Sequence, residues 1–554
     1  MALRPLLRPL LLAAALFSSI AAPLHAEETQ RYLIAPRKAA SASRLRIASD
    51  AIAASARHRV RTFNSVDAFA ADLTPSEASA LAAAGDLIVE QVVPRYALDL
   101  EARFDGSRAL AVESGTAQDV PWGISAIHAA QVWPFTRGEQ VNVVVVDTGI
   151  DILHPDLGQA YAGGFNAVKP GELPVDDHGH GTHVAGTIAA ANNGFGVVGV
   201  APRVKLWAVK ALDADGEGSS EEFVAALEWT IAKARATGGR WIVNASLGAA
   251  RYSEIEERAV GNVADAGIVV VAAAGNDGTA TVMYPAGYRG AIAVGAVTQN
   301  GGRAVFSSFG SGLALLAPGA AVRSTLMHGR VVSLNVKNSD GTIFPAWRIG
   351  GSPYASVTGK VYDCGVGEPH EFPAGVRGNI ALVRRGKYSF RELARNANEA
   401  AAGAVIIVTY ANDLTGPYNW SFLSKEPDPE WDGYNYPLAV GVHYGVGESI
   451  LRNDSRYTVD YATYLYGAMS GTSMAAPHVT GTAALMLSLA PELPASSVAS
   501  ILRYTARDMY APGWDPESGW GALDALSAAQ WVAPEKFGVP PPKPPKQGRR
   551  RSVR

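Results

Sequence analysis

The run VNVVVVDTG, residues 141–149, is apolar at nearly every position and ends in Asp-Thr-Gly. A strand with one wet face alternates apolar and polar residues; a run without alternation has to be buried on both faces. VKLWAVKAL, WIVNASLG, GIVVVAAAGN and AIAVGAV follow at intervals, with helical patterns at 221–237 and 253–266 between them. Buried strands alternating with helices predict an α/β fold around a parallel sheet. In such sheets the functional residues gather just past the carboxyl ends of strands. Asp147, Ser246 and Asn276 all fall at such ends.

The sheet pattern takes up only part of the 554 residues, and length alone suggests three or four domains. Residues 1–26 carry early arginines, a short apolar run and a small residue at Ala26, the pattern of an export signal. No later stretch reaches 18 apolar residues, so no transmembrane segment is expected. Residues 27–116 read as a small α+β module. RYLIA, HRVRTF and IVEQVVP look like strands, and SVDAFAADL and TPSEASALAAAG like helices, the second started by Thr74 and Pro75 and stopped by Gly85. The parallel-sheet pattern covers 117–328 and resumes over 466–533. Between them, 329–465 reads as a second α/β unit around GNIALVRRGKYSF, a helical RELARNANEAAAG and AVIIVTY, followed by a segment dense in Tyr and Trp between Tyr410 and Tyr436. Residues 534–554 are proline-rich and then basic, a composition expected to be disordered.

Lys and Arg number 48 against 51 Asp and Glu, a formal charge of −3, so no nucleic-acid or acidic-lipid partner is expected. The single cysteine, Cys364, excludes an internal disulfide and reads as a small buried hydrophobe. An exported chain built this way must draw its stability from its core or from bound ions.

Three motifs carry chemistry: VVVVDTGID, HGHGTHVAG and GTSMAAPHVTG. Asp147 ends a buried strand, where a carboxylate is shielded from water. His180 opens a helical segment. Ser473, framed by Gly471 and small residues, opens an apolar helix whose free N–H groups can stabilise an anion. An acid, an imidazole and such a serine are the parts of an acyl-transfer site. The spacing H-x-H-x-x-H of His178, His180 and His183 also admits a metal cradle, but no further His, Asp or Cys cluster supplies the missing ligands.

In the chain order Asp, His, Ser, these motifs resemble those of the subtilisin-like serine proteases, the subtilases. The resemblance implies a subtilisin-like three-layer α/β fold with a parallel central sheet and a serine endopeptidase. Its triad falls on Asp147, His180 and Ser473, and the asparagine of its oxyanion hole on Asn276 in AAAGNDG. DADGEGS, with Gly216, Glu217 and Gly218, resembles the edge strand that pairs with substrate. Ser246, Leu247 and Gly248 resemble the strand opposite, so an extended protein or peptide substrate lies between them. Ser246 to Gly248 and Ala273, Ala274 and Gly275 wall the pocket for the residue at the cut, with Met283 at its floor. Asp277 at its rim and Glu217 further along either favour a basic side chain or, as is commoner, are solvated surface acids.

AANNGFGVVGV resembles the family's calcium loop. The implied ligands are the side chains of Gln118, Asp156 and Asn193 and the carbonyls of Ala191, Phe195 and Val197, a hard-oxygen set suited to Ca²⁺. The module at 27–116 resembles the subtilase propeptide, a chaperone and transient inhibitor removed by self-cleavage, with the junction placed near Thr116–Ala117. The insert resembles a protease-associated domain, with a loop from Arg384 to Lys387 and Phe390 as a core anchor. It implies gating or positioning of substrates, a structural insert being the alternative. The rival readings are a metallohydrolase on the three histidines, a binding protein with a decayed site, and peptide ligation through the same acyl-enzyme.

Overall fold

A computed structural model of the chain describes residues 28–38, 42–54, 59–83, 85–98, 118–327, 331–349, 352, 355–409, 436–453, 456–463 and 465–541. The export signal at 1–26, the junction near 116–117, the aromatic segment from 410 to 435 and the basic end of the tail lie outside the described residues; the start of the tail, expected to be disordered, is ordered instead, with Pro534–Phe537 a 3-10 helix whose Phe537 packs on Phe135. The described residues fall into two compact units: 28–98, 118–327 and 468–541 in one, and those between 331 and 467 in the other.

The first unit is built on a seven-stranded parallel sheet. Its order across the sheet is Leu313–Pro318, Ala291–Val297, Val269–Ala273, Arg240–Ala245, Val141–Asp147, Lys205–Lys210 and Tyr161–Asn166. The apolar run at 141–147 is buried throughout. Val143 and Val145 join the core that contains helices His180–Ala189 and Thr472–Leu489, while Val144 and Val146 join the core under helices Ser220–Thr237 and Glu254–Asp265. Two dry faces explain the missing alternation, and helix, sheet and helix form the three layers of a subtilisin-like α/β fold. The strand at 141–147 lies in the interior of the sheet, so its carboxyl end, Asp147, is enclosed by neighbours on both sides.

The N-terminal module is a four-stranded antiparallel sheet in the order Val60–Phe63, Ala68–Leu73, Gln30–Pro36 and Leu87–Gln91, with helices Ala42–Ala53 and Pro75–Ala83. Thr74 and Glu77 close a capping box at the start of the second helix. One expectation is corrected. SVDAFAADL is not a helix: Asp67 turns the chain with φ 49°, and Ala68–Leu73 is a strand. Phe69, Ala71 and Leu73 face the module's own core, and Ala68 and Ala70 face the core shared with the helices at 220–237 and 254–265. A short apolar run sealed on both faces carries no period that separates strand from helix.

The second unit, expected as α/β, is a closed seven-stranded barrel with helices Phe390–Glu399 and Tyr444–Leu451. Strands Ile380–Arg384 and Ala404–Thr409 lie where the sequence places them, and Phe390 is buried. The missed strands, such as Val331–Asn338 and Arg456–Thr463, pair antiparallel across more than a hundred residues. Cys364 is buried here, and burial pushes its thiol up to about 12. Among the described residues no helix is long and apolar enough to cross a membrane.

Candidate active site

Asp147 leaves the carboxyl end of its strand with its side chain sealed from solvent. Its Oδ1 lies 2.6 Å from His180 Nδ1 and accepts the Thr148 N–H at 2.8 Å. Gly179, with φ 102°, makes the turn that starts the His180–Ala189 helix, a conformation that favours glycine. Asp176 holds that turn in place. Its Oδ1 accepts from the N–H of His178 and Gly179 and from the Thr148 hydroxyl, and its Oδ2 from the N–H and hydroxyl of Thr182. Asp176 is thus a buried strut that fixes the backbone on both sides of His180. Lys210 braces the same region, donating to Thr148 O at 2.7 Å and to Asp177 Oδ1 at 2.6 Å.

Ser473 is the second residue of the Thr472–Leu489 helix and is fully buried. Pro477, four residues on, has no N–H, so the Ser473 carbonyl lacks its helical donor. The Ser246 hydroxyl replaces that donor at 2.9 Å, and the Ser473 hydroxyl donates back to the Ser246 carbonyl at 2.9 Å. A proline inside the helix thus ties the serine to the neighbouring strand end.

Asn276 follows the strand Val269–Ala273. The N–H and hydroxyl of Thr472 both donate to its Oδ1 at 2.9 Å, which turns Nδ2 outward. That Nδ2 donates at 2.7 Å to the carbonyl of Leu98, in the N-terminal module. Leu98 ends a strand, Pro94–Ala97, lying between Leu247–Gly248 and Glu217–Ser219 as the middle of an antiparallel three-stranded sheet. Ala97 N–H donates to Gly216 O at 2.9 Å, and Leu98 N–H to Ser246 O at 3.4 Å. The two edges expected to hold substrate therefore hold a segment of this same chain. Leu98 is 7% exposed and joins the apolar cluster that contains Met283. A Cβ on Gly248 would come within 3.1 Å of Leu98 Cδ1, so that wall admits the side chain because it is glycine. Met283 packs under Gly275, and its N–H donates to Ala274 O. Asp277 and Glu217 are exposed.

His183 is buried in its helix, and the His178 ring lies against Gly216 at the groove edge. The loop at 190–200 gathers all six expected calcium ligands. Gln118 Nε2 donates to Ala191 O, Phe195 O and Val197 O at 2.6, 3.2 and 3.1 Å. Asp156 accepts from Asn193 Nδ2 at 2.8 Å and from Val197 N–H at 3.2 Å.

The family model described as the subtilase family matches residues 138–344 and 378–521. Subtilisin BL of Lederbergia lenta is 47% identical over 221 residues, which cover 40% of this chain and 79% of that protein. An alkaline protease of Alkalihalobacillus alcalophilus is 47% identical over 221 residues, 56% of its length. Among solved structures, the psychrophilic subtilisin-like protease Apa1 of Pseudoalteromonas sp. AS-11 superposes with a TM-score of 0.50 at 28% identity, over 76% of this chain and all of that one. The chain belongs to the subtilase family and is a serine endopeptidase.

Proposed function

We propose that this subtilase is an exported endopeptidase, extracellular or periplasmic, made as a self-processed precursor. Ser473 is its nucleophile, His180 its general base and acid, and Asp147 the carboxylate that orients the imidazole and stabilises its charged form. One observation carries the reading: the Leu98 carbonyl oxygen, 2.7 Å from Asn276 Nδ2, on a strand held between two edges beside Ser473. A peptide posed this way has its carbonyl on a preorganised donor and its backbone locked in register.

The steps follow. His180 Nε2 takes the Ser473 proton as Oγ adds to the carbonyl carbon. The oxyanion is held by Asn276 Nδ2 and the Ser473 N–H. His180 returns the proton to the leaving nitrogen, the C–N bond breaks, and an acyl-enzyme remains. Water, deprotonated by the same imidazole, then releases the acid. In the precursor the first bond cut is the one after Leu98. A second cut near Thr116–Ala117 trims the linker, and the freed module, still in the groove, is a transient inhibitor.

The loop at 190–200 is a calcium site. Three carbonyls converge on one side-chain amide, an arrangement that calls for positive charge at their centre. With the Gln118 and Asn193 amides turned end for end, Gln118 Oε1, Asn193 Oδ1 and the Asp156 carboxylate would hold a calcium ion together with the three carbonyls. Such an ion binds only the folded chain and stabilises it where disulfides are lacking.

The test compares wild type with Ser473→Ala on casein, with mass spectrometry of the processed termini. The wild type is expected to digest casein and to release a fragment ending at Leu98; the variant does neither. Casein digestion by the variant overturns the nucleophile, and processing of the variant in isolation overturns self-cleavage.

A further inference from the structure

The residue three positions upstream of Leu98 is Arg95, and it is fully buried. On the same strand Tyr96 points the other way and is 43% exposed, as the period of two requires. Arg95 therefore drives its guanidinium into the body of the enzyme. There Nη2 donates to Glu256 Oε2 at 2.5 Å and to the Arg251 carbonyl at 3.1 Å. Nη1 donates to Pro94 O, within the peptide itself. Glu256 is also fully buried. The Tyr288 hydroxyl donates to the same Oε2 at 2.7 Å and accepts the Ser253 N–H at 3.0 Å, and Tyr252 and Tyr284 pack their rings on Tyr288. The walls are thus aromatic, and a carboxylate stands at the end.

A carboxylate sealed from water is unfavourable unless it is paired. Within its own part of the chain Glu256 receives one hydroxyl, and among the described residues its Oε1 has no hydrogen-bond partner even with Arg95 in place. Its helix offers it no cation, because the other residues on that face, Ala259, Val260 and Val263, are apolar. The cation comes from the segment in the groove. Taking Leu98 as the residue at the cut, as proposed above, that segment is a sample of what the groove accepts.

We propose that Glu256 is a specificity-determining residue: it makes the groove select protein substrates with arginine three residues upstream of the residue at the cut. The guanidinium enters the closed aromatic pocket that Arg95 fills in the precursor. Arginine is favoured over lysine because its Nη2 meets Glu256 and the Arg251 carbonyl while Nη1 of the same planar group holds the Pro94 carbonyl, three partners at two fixed nitrogens that the single nitrogen of an ammonium does not span. Neutral side chains leave the buried carboxylate unpaired.

The experiment uses the processed enzyme and quenched peptides that present Arg-Tyr-Ala-Leu, Lys-Tyr-Ala-Leu, Gln-Tyr-Ala-Leu or Leu-Tyr-Ala-Leu before the cut. The arginine peptide is expected to exceed the glutamine and leucine peptides by about 100-fold in kcat/KM, and the lysine peptide by about 10-fold. Glu256→Gln is expected to bring the arginine-to-glutamine ratio to within about 3-fold of unity. A wild-type ratio already that small, or a ratio that survives in the variant, overturns the proposal. Should Glu256→Gln not mature, the wild-type ratio decides, together with a map of casein cleavage sites. Arginine enriched at the fourth residue before the cut supports the proposal; no enrichment overturns it. Failure of the catalytic reading is separate, since it appears as peptide cleavage by Ser473→Ala.

Discussion

Two buried carboxylates, each bonded to a nitrogen group, lie along one groove, and they are built differently. Asp147 and His180 are 33 residues apart, at a strand end and a helix start of one sheet layer, and meet at 2.6 Å. Around them Asp147 and Asp176 hold Thr148, Gly179 and Thr182, although Asp147 Oδ2 accepts no hydrogen bond among the described residues. Arg95 and Glu256 are 161 residues apart and meet at 2.5 Å, and among the described residues Arg95 Nε and Glu256 Oε1 have no hydrogen-bond partners. The difference lies in where the partners stand: Asp147 and His180 belong to the core around the parallel sheet, whereas Arg95 stands on the segment in the groove, so under the proposed processing only the second pair exchanges a partner.

The largest effect expected is at the first pair. His180→Ala should lower kcat on casein by roughly 10⁶-fold, the size known for subtilisin itself. His178→Ala, at the groove edge, should leave most of the activity. Equal losses in the two variants would mean that the histidines act as a set. The second pair should appear in stability rather than chemistry. In the uncleaved Ser473→Ala chain, Arg95→Gln leaves Glu256 buried and alone, at a cost of about 3 kcal/mol measured by chemical denaturation at neutral pH. Burial, partly offset by Arg95, already holds the Glu256 carboxyl above the usual carboxylate range, with Tyr288 and Glu90 facing it. A lone carboxylate gains its proton as pH falls through that raised value, so the penalty should fade on acidification and return as pH rises. A pH-independent cost would break the contrast. The smallest effect belongs to the loop at 190–200. A chelator should lower stability by about 2–3 kcal/mol relative to calcium at a hundredfold excess over its Kd. It should leave the arginine-to-glutamine preference of the processed enzyme unchanged.

The residues proposed for catalysis were legible because their signals are local in the chain. Asp147 closes an apolar run, His180 opens a helix after a glycine, and Ser473 opens another. Each signal lies within about ten residues of the atom that matters. The segments proposed to hold calcium are equally local. Asp176 carries no such signal, since a carboxylate before a helix reads the same whether it caps a turn in solvent or braces a buried one. Glu256 was missed although a signal existed: it shares a helix face with Ala259, Val260 and Val263, an acid on an apolar stripe. The strand at 68–73 and most of the barrel were missed because their pairings span long separations and their sealed runs carry no usable period.

Short patterns of strand burial and helix starts specify the parallel sheet and point to the reaction and to the residues proposed to carry it. Tertiary structure alone sets what lies in the groove. It brought the Leu98 carbonyl to Asn276 across 178 residues and Arg95 to Glu256 across 161, and so turned two unremarkable side chains into a pocket and its occupant. The charge of Glu256 is legible in the chain. Its burial is not, and burial is what makes a carboxylate selective.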